Sequence, residues 1–527
     1  MSEFKSLKSD LSASVVVFFV ALPLCLGIAL ASGAPLFSGV ISGIIGGVVV
    51  GMLSGSQVGV TGPAAGLAAI VLAALGTLSY QDFLLAVVLA GAIQIIFGFL
   101  KAGVIAYYFP SSVIKGMLTG IGIIIVLKQI PHLLGYDSDP EGDYAFYQVD
   151  GGTTFSGIFD ALNAISPGAA LVGFVSLAVL VFWDLVLAKK AKIFQLVQGP
   201  LVVVVMGIIY YLSTKDSASL AITSAHLVSV PTPDSISSFL GQFSTPNFGA
   251  ILNSEIWVLA FTIALVASLE TLLCVEATDK LDPDKRVTPT NRELLAQGAG
   301  NIFAGAIGGL PVTQVIVRSS ANIQSGARTK LSAIFHGVLL LVFVVSIPGV
   351  LNMIPLAVLA AILLQVGYKL AKPALFKTMY DLGWKQSVPF MVTVIAIVFT
   401  DLLIGIVVGM FVGIVIILIK SYQNSHFLHI QDTDEGKGRI KMTLAEEVTF
   451  FNKAAILKEL DALPEGTYLE LDVTKTRYLD YDVIEILDDF SYKAKLRNIT
   501  IKLISDRGTI ENPSSYIEHF TLRPSSA

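Results

Sequence analysis

The chain has 527 residues, 54% of them hydrophobic and 14% charged, against roughly 25% charged in ordinary soluble proteins. A mean hydropathy of +0.76 excludes one buried core and requires many apolar segments near the ~20 residues that cross a bilayer as a helix. The net charge of −5 points away from nucleic acid as a partner, and the two cysteines, Cys25 and Cys274, rule out a disulfide framework or CxxC metal cluster.

Apolar runs fall at about 12–31, 37–54, 62–78, 83–101, 111–130, 168–188 and 197–213. A second set falls at about 255–278, 293–308, 313–325, 331–348, 354–371, 387–401 and 402–420. The first is expected to be a retained helix, because the polar stretch Met1–Asp10 runs into it with no small-residue cleavage site. The third and tenth are too short to span alone. Short, Gly/Pro-interrupted segments at matching places in two halves are the sequence pointer to a transporter's binding site.

Loop charge orients the fourteen segments. Connections after even-numbered segments are basic: Lys101 and Lys115, then Lys189, Lys190 and Lys192, then Lys280, Lys285, Arg286 and Arg292. Arg328 and Lys330, and later Lys369, Lys372, Lys377 and Lys385, continue the pattern. The 131–167 stretch has no Lys or Arg but carries Asp137, Asp139, Glu141, Asp143, Asp150 and Asp160. The positive-inside rule then places both termini in the cytosol. After residue 420 the composition changes. Residues 421–438 read as a polar linker containing Asp432, Asp434 and Glu435. Residues 439–527 read as a small α/β domain, with strands at 440–443, 447–451, 468–473 and 499–504 and helices at 454–462 and 481–495.

Two segments carry the chemistry. Gly59-Val-Thr-Gly-Pro-Ala-Ala-Gly66 and Gly308-Gly-Leu-Pro-Val-Thr-Gln-Val-Ile-Val-Arg318 each read as an extended piece followed by a half-helix starting at membrane depth. Such an N-terminus offers unpaired N–H groups and a positive dipole end to an anion. The residues leave a second reading open: two kinked transmembrane helices, since Gly and Pro are common there. Arg318 either adds positive charge beside the site or snorkels at a helix end. Glu270 lies deep in the apolar run from Trp257 to Cys274. An ionisable group at that depth marks an ion or proton pathway, with a structural pairing as the alternative. Glu276 and Asp279 are expected to be solvated. Cys25 either lines a cavity or is inert packing, Tyr107 and Tyr108 read as interfacial anchors, and His336 as helix packing.

Ala21-Leu-Pro-Leu-Cys-Leu-Gly-Ile-Ala-Leu-Ala-Ser-Gly33, Val60-Thr-Gly-Pro-Ala-Ala-Gly66, Ala267-Ser-Leu-Glu-Thr-Leu-Leu273 and Gly308-Gly-Leu-Pro-Val-Thr with Arg318-Ser319 together resemble the SulP sulfate-permease family, and the C-terminal domain resembles its STAS domain. The resemblance implies a polytopic α-helical membrane fold of fourteen segments, built as a 7+7 inverted repeat with core and gate domains. It also implies elevator-type movement of a small inorganic anion and a homodimer. Residues 1–420 are the transport domain, 421–438 the linker and 439–527 the STAS-like domain. Carried over, the anion site falls at Ala64, Ala65 and Gly66, at Gln314, Val315 and Ile316, and at Arg318, with Cys25 lining the cavity. Glu270 stands where the family has an acidic residue linked to cation coupling, with Cys274 beside it. Sodium-coupled bicarbonate relatives resemble an Asp-plus-Thr arrangement there, so Glu270 and Cys274 tilt the expectation toward H+ over Na+. Asp480-Tyr481-Asp482-Val483 replaces the family's Asp-Ser-Ser-Gly, which removes the phosphorylatable serine.

The expected function is therefore proton-coupled symport of sulfate or bicarbonate, with sodium-coupled uptake or anion exchange as the alternative, in the bilayer of a bacterial inner membrane. No metal or cofactor is expected. A nucleobase permease would need acidic side chains from two helices, and segment ten offers none. A channel remains a rival that saturable one-for-one exchange would exclude. A membrane enzyme is a poor fit, for the spans hold no paired His, activated nucleophile or metal cluster.

Overall fold

Long apolar stretches can satisfy their backbone groups in a bilayer only as helices or closed barrels, and this chain takes the helical solution. The computed structural model describes residues 2–138, 146–147, 151–190, 199–217, 219–232, 240–431, 439–516 and 520. Asp139, Glu141, Asp143, Asp150 and Lys192, used in the loop-charge argument, lie outside the described residues, as do 432–438 of the expected linker. The chain divides into two compact units, Met1–Met410 and Phe411–Ala527. The division falls inside the last transmembrane helix, ahead of the residue-420 boundary read from composition.

All fourteen expected segments are helical. They are α1 (Ser2–Ala31), α2 (Leu36–Leu53, with a π turn at Gly46–Val50), α3 (Ala65–Leu75), α4 (Tyr80–Phe99), α5 (Ser111–Leu133), α6 (Pro167–Leu187) and α7 (Gly199–Thr214). The second seven are α8 (Ser254–Leu281), α9 (Thr290–Ile307), α10 (Ile316–Gln324), α11 (Leu331–Ser346), α12 (Leu356–Leu370), α13 (Trp384–Phe399) and α14 (Leu402–Gln423). Among the described residues, eight helices are long and apolar enough to cross a membrane. The short ones include α3 and α10, as expected. Each gives up its first turns to an extended strand, β1 (Thr61–Pro63) and β2 (Val312–Gln314).

The helices sort into two groups. α4 packs on α8 and α9, and α1 on α2, α10 and α11, whereas α5 packs on α12 and α13 and α6 on α12. Glycines bring each group's central pair into backbone contact. A Cβ on Gly91 of α4 would stand 2.5 Å from the Gly298 carbonyl oxygen of α9, and one on Gly122 of α5 would stand 2.7 Å from the Gly367 oxygen of α12. Small residues at such crossings let backbones meet without a hydrophobic driving force between helices.

The second unit contains a five-stranded sheet in the order β3-β4-β6-β8-β9. Its strands are β3 (His426–Gln431), β4 (Arg439–Leu444), β6 (Tyr468–Asp472), β8 (Thr500–Ser505) and β9 (Gly508–Glu511). The two-residue strands β5 (Glu447–Val448) and β7 (Tyr478–Leu479) pair separately. β4, β6 and β8 are parallel. Helices α15 (Lys453–Asp461) and α16 (Tyr481–Leu496) contribute Ile456, Leu487 and Phe490 to a core with Met442, Leu471 and Leu503. Three of the four expected strands and both helices are present, while the strand expected at 447–451 shrinks to Glu447–Val448 and gives way to a 3-10 turn at Phe450–Asn452; the arrangement fits a STAS-like domain. The expected linker needs correction: residues 426–431 are β3, pairing antiparallel with β4 from His426↔Leu444 to Gln431↔Arg439. Phe427, Leu428 and Ile430 supply the β character that the flanking polar residues masked.

Candidate functional site

The two broken segments meet. β1 and β2 pair antiparallel, Thr61↔Gln314, Gly62↔Thr313 and Pro63↔Val312, and the Val315 N–H extends the ladder to the Val60 carbonyl at 3.0 Å. This short ladder satisfies backbone groups that hydrocarbon could not, which is why irregular chain is tolerated here. Ala64 and Val315 are the extended residues that launch α3 and α10. Both half-helices therefore begin at the same ladder, one from each half of the chain.

Beside them is a small cavity of about 40 Å³, lined by Pro63, Ala65, Glu270, Cys274, Val315, Ile316, Val317 and Arg318 together with Leu24 and Ile28 of α1 and Ile121 and Ile124 of α5. One buried water needs roughly 10–15 Å³ by the same measure, so the space suits a few small atoms. Ile397 and Leu402 complete the apolar wall.

Arg318 is 1% exposed, so it does not snorkel. Neither Nη1 nor Nη2 has a hydrogen-bond partner among the described residues. A buried guanidinium with two open forks costs several kcal/mol unless a negative partner arrives. Its position depends on Gly62, where a Cβ would lie 2.0 Å from Nη1.

Helix α8 serves both half-helices from one face. Glu270, 4% exposed, sets its carboxylate beside the Gly66 backbone N–H of α3, and its Oε2 has no hydrogen-bond partner among the described residues. One turn on, the Cys274 sulfur faces the Ile316 N–H of α10. Between them Thr271 Oγ1 accepts from the Gln314 N–H at 3.3 Å. The i, i+4 spacing puts the carboxylate and thiol in line along the helix. By helix geometry the N–H groups of Val317 and Arg318 lack intrahelical acceptors.

Six of the ten expected site residues line this cavity: Ala65, Val315, Ile316, Arg318, Glu270 and Cys274. The other four stand behind it. Ala64 packs with Leu67 and Ala267, Gly66 reaches the site only through its N–H, and the Gln314 side chain turns away to donate to Thr278 Oγ1 at 3.1 Å. Cys25 needs correction as a cavity liner. Its sulfur sits between Gly43 and the Arg318 guanidinium, because the cavity takes the Leu24–Ile28 face of α1, about 100° round the helix. Asp279 is likewise not simply solvated, since it accepts from the Thr288 N–H and hydroxyl, both at 2.7 Å. His336 is fully buried, with Nδ1 2.6 Å from the Ala333 carbonyl, consistent with packing.

A polar brace behind the ladder escaped the sequence reading. Asn301 of α9 grips the backbone of Val312 twice, accepting from its N–H at 2.6 Å and donating to its carbonyl at 3.1 Å. The same Nδ2 donates to Gln94 Oε1 of α4 at 2.7 Å, and Gln94 donates to Ser268 at 3.3 Å. Gln297 donates to Thr61 Oγ1 at 2.8 Å and to Glu293 Oε1 at 2.9 Å, and the Ser54 hydroxyl donates to Glu293 Oε2 at 2.5 Å. Glu293, Gln297 and Asn301 stand at i, i+4 and i+8, a polar stripe on an otherwise apolar helix. That periodicity was the signal available in the sequence.

A family model described as the sulfate permease family matches residues 7–395. Among individual proteins, the chain is 24% identical over 507 residues to the putative sulfate transporter YvdB of Bacillus subtilis, covering 94% of this chain and 91% of that one. It is 25% identical over 504 residues to the bicarbonate transporter BicA of Picosynechococcus sp., covering 90% and 84%. The transmembrane domain of a cyanobacterial BicA aligns with a TM-score of 0.54 at 23% identity, over 78% of this chain and 98% of that one. Murine Slc26a9, an anion transporter solved in the inward-facing state, aligns with a TM-score of 0.65 at 16% identity, over 94% and 85%.

Proposed function

The chain belongs to the sulfate permease family, and from that premise we propose that it carries a small inorganic oxyanion, sulfate or bicarbonate, across the bilayer by proton-coupled symport. The observation that carries the reading is one cavity lined by the starts of the two half-helices, Glu270 and Arg318, whose buried Nη1 and Nη2 have no hydrogen-bond partner among the described residues. An oxyanion placed there accepts from Arg318 and from first-turn N–H groups, which offsets the cost of the buried cation.

The coupling follows from charge. Ionised Glu270 holds the Gly66 N–H and sets a negative charge beside the anion's place; protonation removes that charge and frees the donor. Proton and anion therefore favour each other's binding, and the linkage is reciprocal. Rigid-body movement of one helix group against the other, with both termini cytosolic and the protein acting as a homodimer, completes the reading. Glycine-mediated backbone contact lies within each group, while the cavity walls contributed by α1 and α5 are aliphatic.

The test is uptake of labelled sulfate and labelled bicarbonate into proteoliposomes under a pH gradient, a sodium gradient or neither. The expected result is uptake of at least one anion driven by inward proton gradients, with Glu270→Gln uncoupled from pH. Identical transport by Glu270→Gln under every gradient would refute the coupling role, and stimulation by sodium alone would replace the proton with Na+.

A further inference from the structure

A second buried cation lies outside the site just described. Lys128, on α5, is 7% exposed, and its Nζ is fully buried with no hydrogen-bond partner among the described residues. An ionisable side chain within a transmembrane helix ordinarily faces a partner or a pathway. Here none of the described residues supplies one.

Its place on α5 is specific. Ile121 and Ile124 line the candidate anion cavity, and His132 lines a second cavity of about 270 Å³ at the other end of the helix. Positions 121, 124, 128 and 132 form one stripe at helical spacing. With a rise of 1.5 Å per residue, Lys128 stands about 6 Å along the axis from Ile124 and about 6 Å from His132. Helix α1 borders both cavities too, through Leu24 and Ile28 at the first and Pro23, Leu26, Gly27 and Leu30 at the second. Both cavities thus take lining from α1 and from the α5 segment, and Lys128, which lines neither, stands on the α5 stripe between Ile124 and His132.

The second cavity lies at the end of α5 that loop charge places outside. Among the described residues its ionisable lining is His132 and Asp137. Asp137 Oδ1 and Oδ2 are held at 2.6 Å by Nδ1 of His132 and Nδ1 of His226, so its carboxylate is covered by two imidazoles rather than presented bare to an arriving anion. The rest of the lining is neutral, including Ser229 and Leu356.

We propose that Lys128 is a transient binding group for the transported oxyanion on its outer access route, the intermediate station between the outer cavity and Arg318. The inference rests on the anion-transport reading above. In it, an anion leaving the outer cavity meets the Lys128 ammonium before Arg318, and the donors that have no partner among the described residues, Lys128 Nζ and Arg318 Nη1 and Nη2, serve the cargo.

The experiment compares Lys128→Met and Lys128→Arg with wild type, measuring labelled sulfate and bicarbonate flux in right-side-out and inside-out membrane vesicles. Lys128→Met should raise KM from the outer face by about tenfold, the low end for losing one charged hydrogen bond, and leave KM from the cytosolic face unchanged. Lys128→Arg should restore the outer KM to within about threefold, the planar guanidinium keeping the charge but not the shape. Thermal unfolding of purified Lys128→Met should be unchanged or shifted upward, since the substitution removes an unpaired buried charge. Unaltered outer KM, or equal rises from both faces with a lowered unfolding temperature, would overturn the proposal. Arg318→Met in the same vesicles separates the two readings. If Arg318→Met abolishes flux while Lys128→Met matches wild type, the site stands and the route station falls. If wild type carries neither anion, both fall.

Discussion

Gly62→Ala tests whether the position of Arg318 is what makes the cavity bind. Gly62 sits in β1 without a left-handed φ, so alanine suits its backbone. The added Cβ would lie 2.0 Å from Arg318 Nη1, 2.9 Å from Cζ and 3.5 Å from Nη2. Ordinary contact starts near 3.4 Å, so Nη1 must retreat by about 1.4 Å, and it can, being the far end of a flexible side chain. The fold is therefore kept and the charge misplaced. A hydrogen bond to a charged group is worth about 1.5–3 kcal/mol, which predicts a Kd for sulfate or bicarbonate raised roughly ten- to hundredfold. Isothermal titration of the purified protein reads the affinity, and thermal unfolding in the same detergent reads the fold. Gly46→Ala is the contrasting control, because its Cβ would come within 2.4 Å of the Thr61 carbonyl oxygen, a backbone atom that cannot step aside, so stability falls along with binding. Gly62→Ala binding within twofold of wild type would refute the assignment of Arg318.

Arg318→Met should abolish anion binding yet leave the unfolding temperature equal to or above wild type, since it replaces an unpaired buried cation by an apolar side chain; a large drop in stability would mean the guanidinium is structural. Asn301→Leu orphans the Val312 N–H and carbonyl and should cost about 2–6 kcal/mol at roughly 1–3 per buried group, read as a lowered thermal midpoint; a midpoint within a degree or two of wild type would remove the brace from the argument. The second unit should loosen in acid. The Arg439 guanidinium holds Glu470 below the ordinary carboxylate range. For Asp472 burial pushes upward, but hydrogen bonds from Lys441 and Thr474 outweigh it and the net shift is downward. Depressed groups contribute stability above the unfolded pKa, near 4, and lose it as pH falls toward their folded values. Limited proteolysis of the full chain should show cleavage within 439–516 beginning below about pH 4, at a higher pH in Lys441→Met; an unmoved onset would count against the ion pair.

Local signals carried much of this fold to the reader of the sequence. Pro63 closes β1 and Pro311 immediately precedes β2, and each following helix starts after one intervening residue, at Ala65 and Ile316. Glu270 stood out because a lone carboxylate in an apolar run has no inconspicuous explanation. The pairing of β1 with β2 was less legible, for it joins residues some 250 positions apart and leaves no local pattern. Cys25 and Gln314 fall in the right segments but on the wrong faces, since α1 turns Leu24 and Ile28 to the cavity and Gln314 reaches back to Thr278. Lys128 passed unremarked inside an apolar run, where one lysine barely lowers the hydropathy. The strand at 426–431 was hidden by the polar residues after it.

The β1–β2 ladder also sets a timetable for making the protein. Each strand's open edge at membrane depth is closed only by the other, so the first half of the chain cannot finish its own site. At roughly 5–20 residues per second of synthesis, β1 waits on the order of 10–50 s for β2 to leave the ribosome. Through that interval the incomplete edge needs shelter, from the insertion machinery or from water held beside it. The first repeat alone, expressed without the second, would be left holding that open edge for good.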